Sequence, residues 1–86
     1  MNFNYDYEVD LIQFSIDLKN KLKSTKTTQS ELARAINASN QVTFSATHGE
    51  VKKLQTFLTI CARMELKPFR YIHIIENTEE WSHWSI

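Results

Sequence analysis

The chain has 86 residues, ten Lys and Arg against ten Asp and Glu, 42% apolar residues and 23% charged ones. That length excludes two domains, because a chain this short hides only about 60 to 65% of its unfolded surface in one core, and the composition excludes a disordered tail. One Gly, one Pro and one Cys leave little for the turns of a sandwich or barrel and nothing for a disulfide framework or a paired-thiol zinc site, so an all-α single domain over residues 1–86 is expected.

Phe3 to Val9 alternates apolar and polar residues, the pattern of an edge strand. From Val9 to about Ser24 the spacing turns helical. Leu11, Phe14, Leu18 and Leu22 make one stripe, with Val9, Ile12 and Ile16 in a second beside it. A face that wide needs more than one neighbour to cover it.

After the polar link Ser24 to Thr27 comes Thr28-Gln29-Ser30-Glu31, a capping box in which hydroxyl and carboxylate each take the other residue's amide. The helix it starts carries Leu32, Ala33 and Ile36 inward and should stop at Asn37, a residue that enters the left-handed conformation readily. Ser39 caps a third helix, from about Asn40 to Thr47 or His48, which should end at Gly49, the chain's one glycine.

A fourth helix from about Glu50 to Glu65 again shows two stripes: Val51, Leu54, Leu58, Cys61 and Ala62, and next to it Phe57, Ile60 and Met64. Pro68 can open a fifth helix with Phe69, Ile72 and Ile75 on one side, although the β-branched and aromatic residues of 69–75 equally suit a strand. Trp81 and Trp84 share one helical face in the tail, and a packing or dimerisation role is expected for residues 69–86.

Charge is unevenly placed. All ten cations lie between Lys19 and Arg70, where only Glu31, Glu50 and Glu65 oppose them, so this stretch carries +7 between acidic ends. Screening acts over roughly 8 Å, so such a middle can bind a polyanion although the total is zero, or it can be an ordinary solvated surface. No run approaches the roughly 18 apolar residues of a membrane span, and the acidic, aromatic start is unlike a signal peptide.

A short helix opening on a capped Gln, joined through Asn37-Ala38-Ser39 to another short helix, is the layout of a helix-turn-helix at about residues 28–49. Residues Thr28 to Ser39 resemble the signature of the Cro and phage-repressor family, Thr/Ser-Gln-x-Glu-Leu-Ala followed by an aliphatic residue, a turn and Ser. The resemblance continues to Gly49 and more loosely to residue 75. It implies a compact five-helix domain of the lambda-repressor type, with a short strand or an extra helical turn at the C-terminus. It also implies a transcriptional regulator of phage-repressor or Cro type, activator or repressor, that binds an operator in double-stranded DNA as a homodimer; with one cysteine, no membrane span and no signal peptide, the cytoplasm of a bacterium or phage-infected cell is the expected place.

By that resemblance Gln29, Asn40 and Gln41 reach base edges, with Thr43 and Ser45 adding contacts, since side-chain amides suit adenine in the major groove. Lys26, Thr28, Arg34, Lys52 and Lys53 are candidates for phosphate contacts. Gln29, Asn40 and Gln41 also suit plain first-turn surface positions. The chain departs from the family pattern in three ways: Asn37 replaces the usual Gly, Thr43 and Ala46 replace core aliphatics, and Val42 and Phe44 stand where DNA is normally faced. The third helix also has no Arg or Lys.

Val42, Phe44, Phe57, Ile60, Met64, Trp81 and Trp84 are therefore interface candidates. They would serve a homodimer or, on a rival reading, a module that binds a repressor, a polymerase subunit or a host defence protein; for the double stripes and the tryptophans, intramolecular cover by the tail is the plainer reading. His48, His73 and His83 lack metal-ligand spacing, Cys61 falls on a core stripe, and no phosphate loop or nucleophile motif is present. Neither enzyme activity nor a cofactor, metal or small-molecule substrate is expected.

Overall fold

The computed structural model describes residues 5–76, with the side chains of Tyr5, Asp6, Ile75 and Glu76 left aside. In chain order it consists of a strand β1 (Tyr5–Val9), helices α1 (Leu11–Ser24), α2 (Gln29–Ala35), α3 (Asn40–Thr47) and α4 (Leu54–Met64), a 3-10 turn at Pro68–Arg70, and a strand β2 (Ile72–Glu76). The strands pair antiparallel, with Val9 opposite Ile72, Tyr7 opposite Ile74 and Tyr5 opposite Glu76.

The expected all-α, five-helix class is thus corrected: the described residues form four α-helices and a two-stranded sheet, and the Pro68 segment closes a single 3-10 turn where the fifth helix was expected. The reason lies in pairing. The β-branched run after Tyr71 and the alternating segment before Asp10 are each poor helix formers, and each satisfies the other's backbone groups. Asp10 joins the Val9–Ile72 end of this ladder to α1: its amide donates to the Tyr71 carbonyl at 2.7 Å, and its carboxylate caps the helix by accepting from the Gln13 amide at 3.0 Å.

Phe14, Leu18 and Leu22 of α1, Leu32 of α2, Ala46 of α3, Phe57, Ile60, Cys61 and Met64 of α4, and Tyr71 form one core. Its centre is aromatic. The Phe14 and Phe57 rings lie 4.9 Å apart between centroids, and Tyr71 meets both edge-on, at 5.6 Å from Phe14 and 6.1 Å from Phe57, an arrangement favoured by the ring quadrupoles. On α1 the first stripe is the buried one, and Ile12 and Ile16 are exposed.

On α4 the choice falls the other way. Phe57, Ile60 and Met64, expected as interface candidates, are core residues together with Cys61 of the other stripe, whose Leu54 and Leu58 are exposed. That helix also begins later than expected, at Leu54, which leaves Lys52 and Lys53 in the segment before it. Trp81 and Trp84, and with them most of the expected tail, lie outside the described residues.

Candidate nucleic-acid interface

The pair α2 and α3 is built by local chemistry at each end. The Thr28 amide donates to Glu31 Oε1 at 3.0 Å and the Glu31 amide to Thr28 Oγ1 at 3.1 Å. The bond from the Thr28 backbone, ahead of that from its side chain, holds the Glu31 carboxyl below its ordinary range. After α2 the chain turns at Asn37, whose φ of 56° is left-handed. The Asn37 amide donates to the Arg34 carbonyl at 3.2 Å and the Ala38 amide to the Ala33 carbonyl at 2.8 Å, which closes the helix end.

Ser39 Oγ then accepts from the Val42 amide at 3.4 Å, a long capping bond at the start of α3. The helix finishes the same way as α2, with the Gly49 amide donating to the Ala46 carbonyl at 3.1 Å and the Glu50 amide to the Ser45 carbonyl at 2.9 Å.

Thr43, Ala46 and Thr47 form the inner face of α3 and are buried. Thr43 is fully buried, so it packs against α2 and does not read a base in this structure, contrary to its expected role. Its hydroxyl lies 3.2 Å from the Gln29 carbonyl and 3.1 Å from the Asn40 carbonyl, and its one proton serves either acceptor. Thr47 Oγ1 donates to the Phe44 carbonyl at 2.7 Å and accepts from Gln29 Nε2 at 3.3 Å. Two buried hydroxyls thereby stitch α3 to the first residue of α2, and part of the Gln29 amide is spent in that seam.

The outer face of α3 presents Asn40, Gln41, Phe44 and His48 to solvent, with Val42 and Ser45 half-buried at its side. Phe44 is 50% exposed, and its ring lies 4.3 Å from the His48 ring, tilted by 34°. His48 Nδ1 sits 2.8 Å from the Phe44 carbonyl, so that nitrogen carries the proton and donates. Thr47 was not singled out in the sequence, and His48 was weighed there only as a metal ligand, although their spacings from Thr43 and Phe44, four residues each, are the i, i+4 signal that marks such pairs.

A depression of about 330 Å³ runs beside this face, lined by Gln41, Val42 and Ser45 of α3, by Glu50, Val51, Lys52 and Lys53 of the following segment, and by Thr56. The fold therefore brings two candidate base readers, Gln41 and Ser45, next to two candidate phosphate contacts, Lys52 and Lys53. It does not bring Arg34 there. Arg34 lines a separate, wider depression with Lys21 of α1 and Arg63 of α4. Lys26 and Thr28 are exposed in and after the α1–α2 connection. No group of three or more potential metal ligands is present among the described residues, and among them no helix is long and apolar enough to cross a membrane.

No protein-family profile matches the chain, and no curated protein matches it. Among solved structures, the crystal structure of the transcriptional regulator VanUg, in its form II, is similar with a TM-score of 0.50, over 90% of this chain and 93% of that one, at 14% sequence identity. At that identity the likeness shows a shared fold.

Proposed function

We propose that the chain is a sequence-specific, double-stranded DNA-binding regulator of transcription, of repressor or Cro type, that acts in the cytoplasm without catalysis and lays the outer face of α3 in the major groove. The observation that carries this reading is the placement of Gln41 and Ser45 beside Lys52 and Lys53 around one depression. A regulator needs both kinds of group together, amides and hydroxyls for base edges and cations for the phosphates that flank them. The shared fold with VanUg, described as a transcriptional regulator, supports the same reading.

Asn40 and Gln41 are the base readers in this proposal, with Ser45 beside them. Lys52 and Lys53 contact phosphate, with Lys26, Thr28 and Arg34 toward the flanks. Two copies bind together, because half-sites about 34 Å apart supply affinity that one small module lacks. Tyr7 and Ile74, exposed and directly opposite each other in the ladder, give such a pairing an apolar surface.

A second reading is favoured by Phe44, half-exposed on a helix without a single cation: a module that binds a protein through Val42 and Phe44. Selection of duplexes from a random pool by the purified chain separates the two. The DNA reading expects a palindromic consensus and a steep loss of affinity with salt. Reversing the charge of Lys52 and Lys53 should lower the magnitude of the salt slope by about 2, near 0.9 for each phosphate that is no longer neutralised. A pool from which nothing is enriched, with no salt-dependent binding, overturns this reading.

A further inference from the structure

Phe44 is the residue that the DNA reading leaves unused, and the following rests on that reading. It occupies the middle of the outer face of α3, one turn after Asn40 and Gln41 and one turn before His48. The residue is half exposed to water, an exposure that a helix surface gains nothing from by itself. The ring is also held in place: His48 stacks on it at 4.3 Å and is itself fixed through Nδ1 to the Phe44 carbonyl. A side chain fixed before binding has little rotamer freedom left to lose when a ligand arrives.

If this face enters the major groove, Phe44 meets base edges. Guanine, adenine and cytosine present nitrogen and oxygen donors and acceptors there, and the thymine C5-methyl is the one apolar group in the code. A phenyl ring pressed on a polar edge takes water from donors and acceptors and returns no hydrogen bond, whereas on the methyl it buries apolar surface. We infer that Phe44 is a specificity-determining residue that selects thymine at one position of each half-site through its C5-methyl group. Its neighbours Asn40 and Gln41 carry the amides that suit adenine, so the chemistry of the whole face leans toward A·T pairs.

The test uses the duplex most enriched by the intact chain, resynthesised with deoxyuridine in place of each thymidine in turn. Deoxyuridine keeps every hydrogen-bonding group and lacks only the methyl. One position in each half-site is expected to lose about fourfold in affinity, the worth of one buried methylene-sized group. Phe44→Ala should bind the thymidine and deoxyuridine duplexes equally, and Phe44→Leu should keep part of the difference. Circular dichroism melting of both variants checks that the fold survives, as it should for a ring outside the core. Salt-dependent binding that is indifferent to deoxyuridine at every position overturns this inference and leaves the DNA reading standing, as does a Phe44→Ala variant that still discriminates. Absence of duplex binding by the intact chain overturns both.

Discussion

Tyr71 shows how one side chain can lock distant parts of the chain together. Its ring is fully buried against Phe14 and Phe57, and its hydroxyl donates to Asp17 Oδ2 at 2.6 Å. Burial, followed by the bond to Asp17, pushes the phenol up from 10.0 to about 12. The bond from Tyr71 in turn holds the Asp17 carboxyl below its usual 3.8, against some desolvation and with help from the Gln13 amide and Arg70. Tyr71→Phe should cost about 1 kcal/mol at neutral pH, read from the urea midpoint. The pH limbs follow from the signs. The Tyr71 contribution is complete below pH 10 and fades as pH rises toward about 12. That of Asp17 is complete above its ordinary value and fades as pH falls through its lowered one. Both limbs should flatten in Tyr71→Phe. Nothing in the sequence around Tyr71 announces this role, because its partner lies 54 positions away. The misplacement of Phe57, Ile60 and Met64 has a related cause: α4 has two adjacent apolar stripes, and which one is buried depends on where α1 and Tyr71 approach it.

Helix ends were readable where the residue type carries the conformation and hidden where the surroundings impose it. Asn37 and Gly49 are left-handed, as their residue types suggest, but so are Lys26 at φ 54° and Glu65 at φ 57°, which close α1 and α4. At both, the amide one residue further on reaches back to the helix, from Thr27 to the Leu22 carbonyl at 2.9 Å and from Leu66 to the Cys61 carbonyl at 2.8 Å. The orphan carbonyls are satisfied, and a side chain with a Cβ bears the strain of roughly 1 to 2 kcal/mol. Glu65→Gly should relieve it and, after the glycine's extra chain entropy, raise stability by about 0.5 kcal/mol in chemical denaturation. The turn of the candidate site was legible for the opposite reason. A capping box, an Asn turn and a Ser cap act over three or four residues, so their geometry is written locally. Thr43 was misread because its polar type was weighed above its position: it stands where the family pattern has a core aliphatic, and it fills that buried place with its hydroxyl bonded to backbone carbonyls.

At the scale of the molecule, the sequence placed the cations in the middle of the chain, and folding sorts them further. Lys52 and Lys53 line the depression beside α3, while Lys21, Arg34 and Arg63 gather around another depression, so the local field at α3 is set by far fewer cations than the +7 of the stretch suggests. The strands were legible only as segments of ambiguous pattern, since no local signal tells Tyr7 that Ile74 will lie opposite. That pairing is a long-range one. Val9 and Ile72 are sixty-three positions apart and open the ladder, so closing it imposes the entropy of a long loop, whereas the helices mend over four residues. Among the described residues no third strand braces either edge. Amide deuterium exchange should therefore be faster along Tyr5–Val9 and Ile72–Glu76 than at Leu18, Leu32 or Ile60, and uniform protection across both would show that ladder and helices open as one unit. Held by a few backbone bonds at the margin of the core, the ladder works as a clasp: it is expected to let go of the two ends of the described chain while the helical body stays closed.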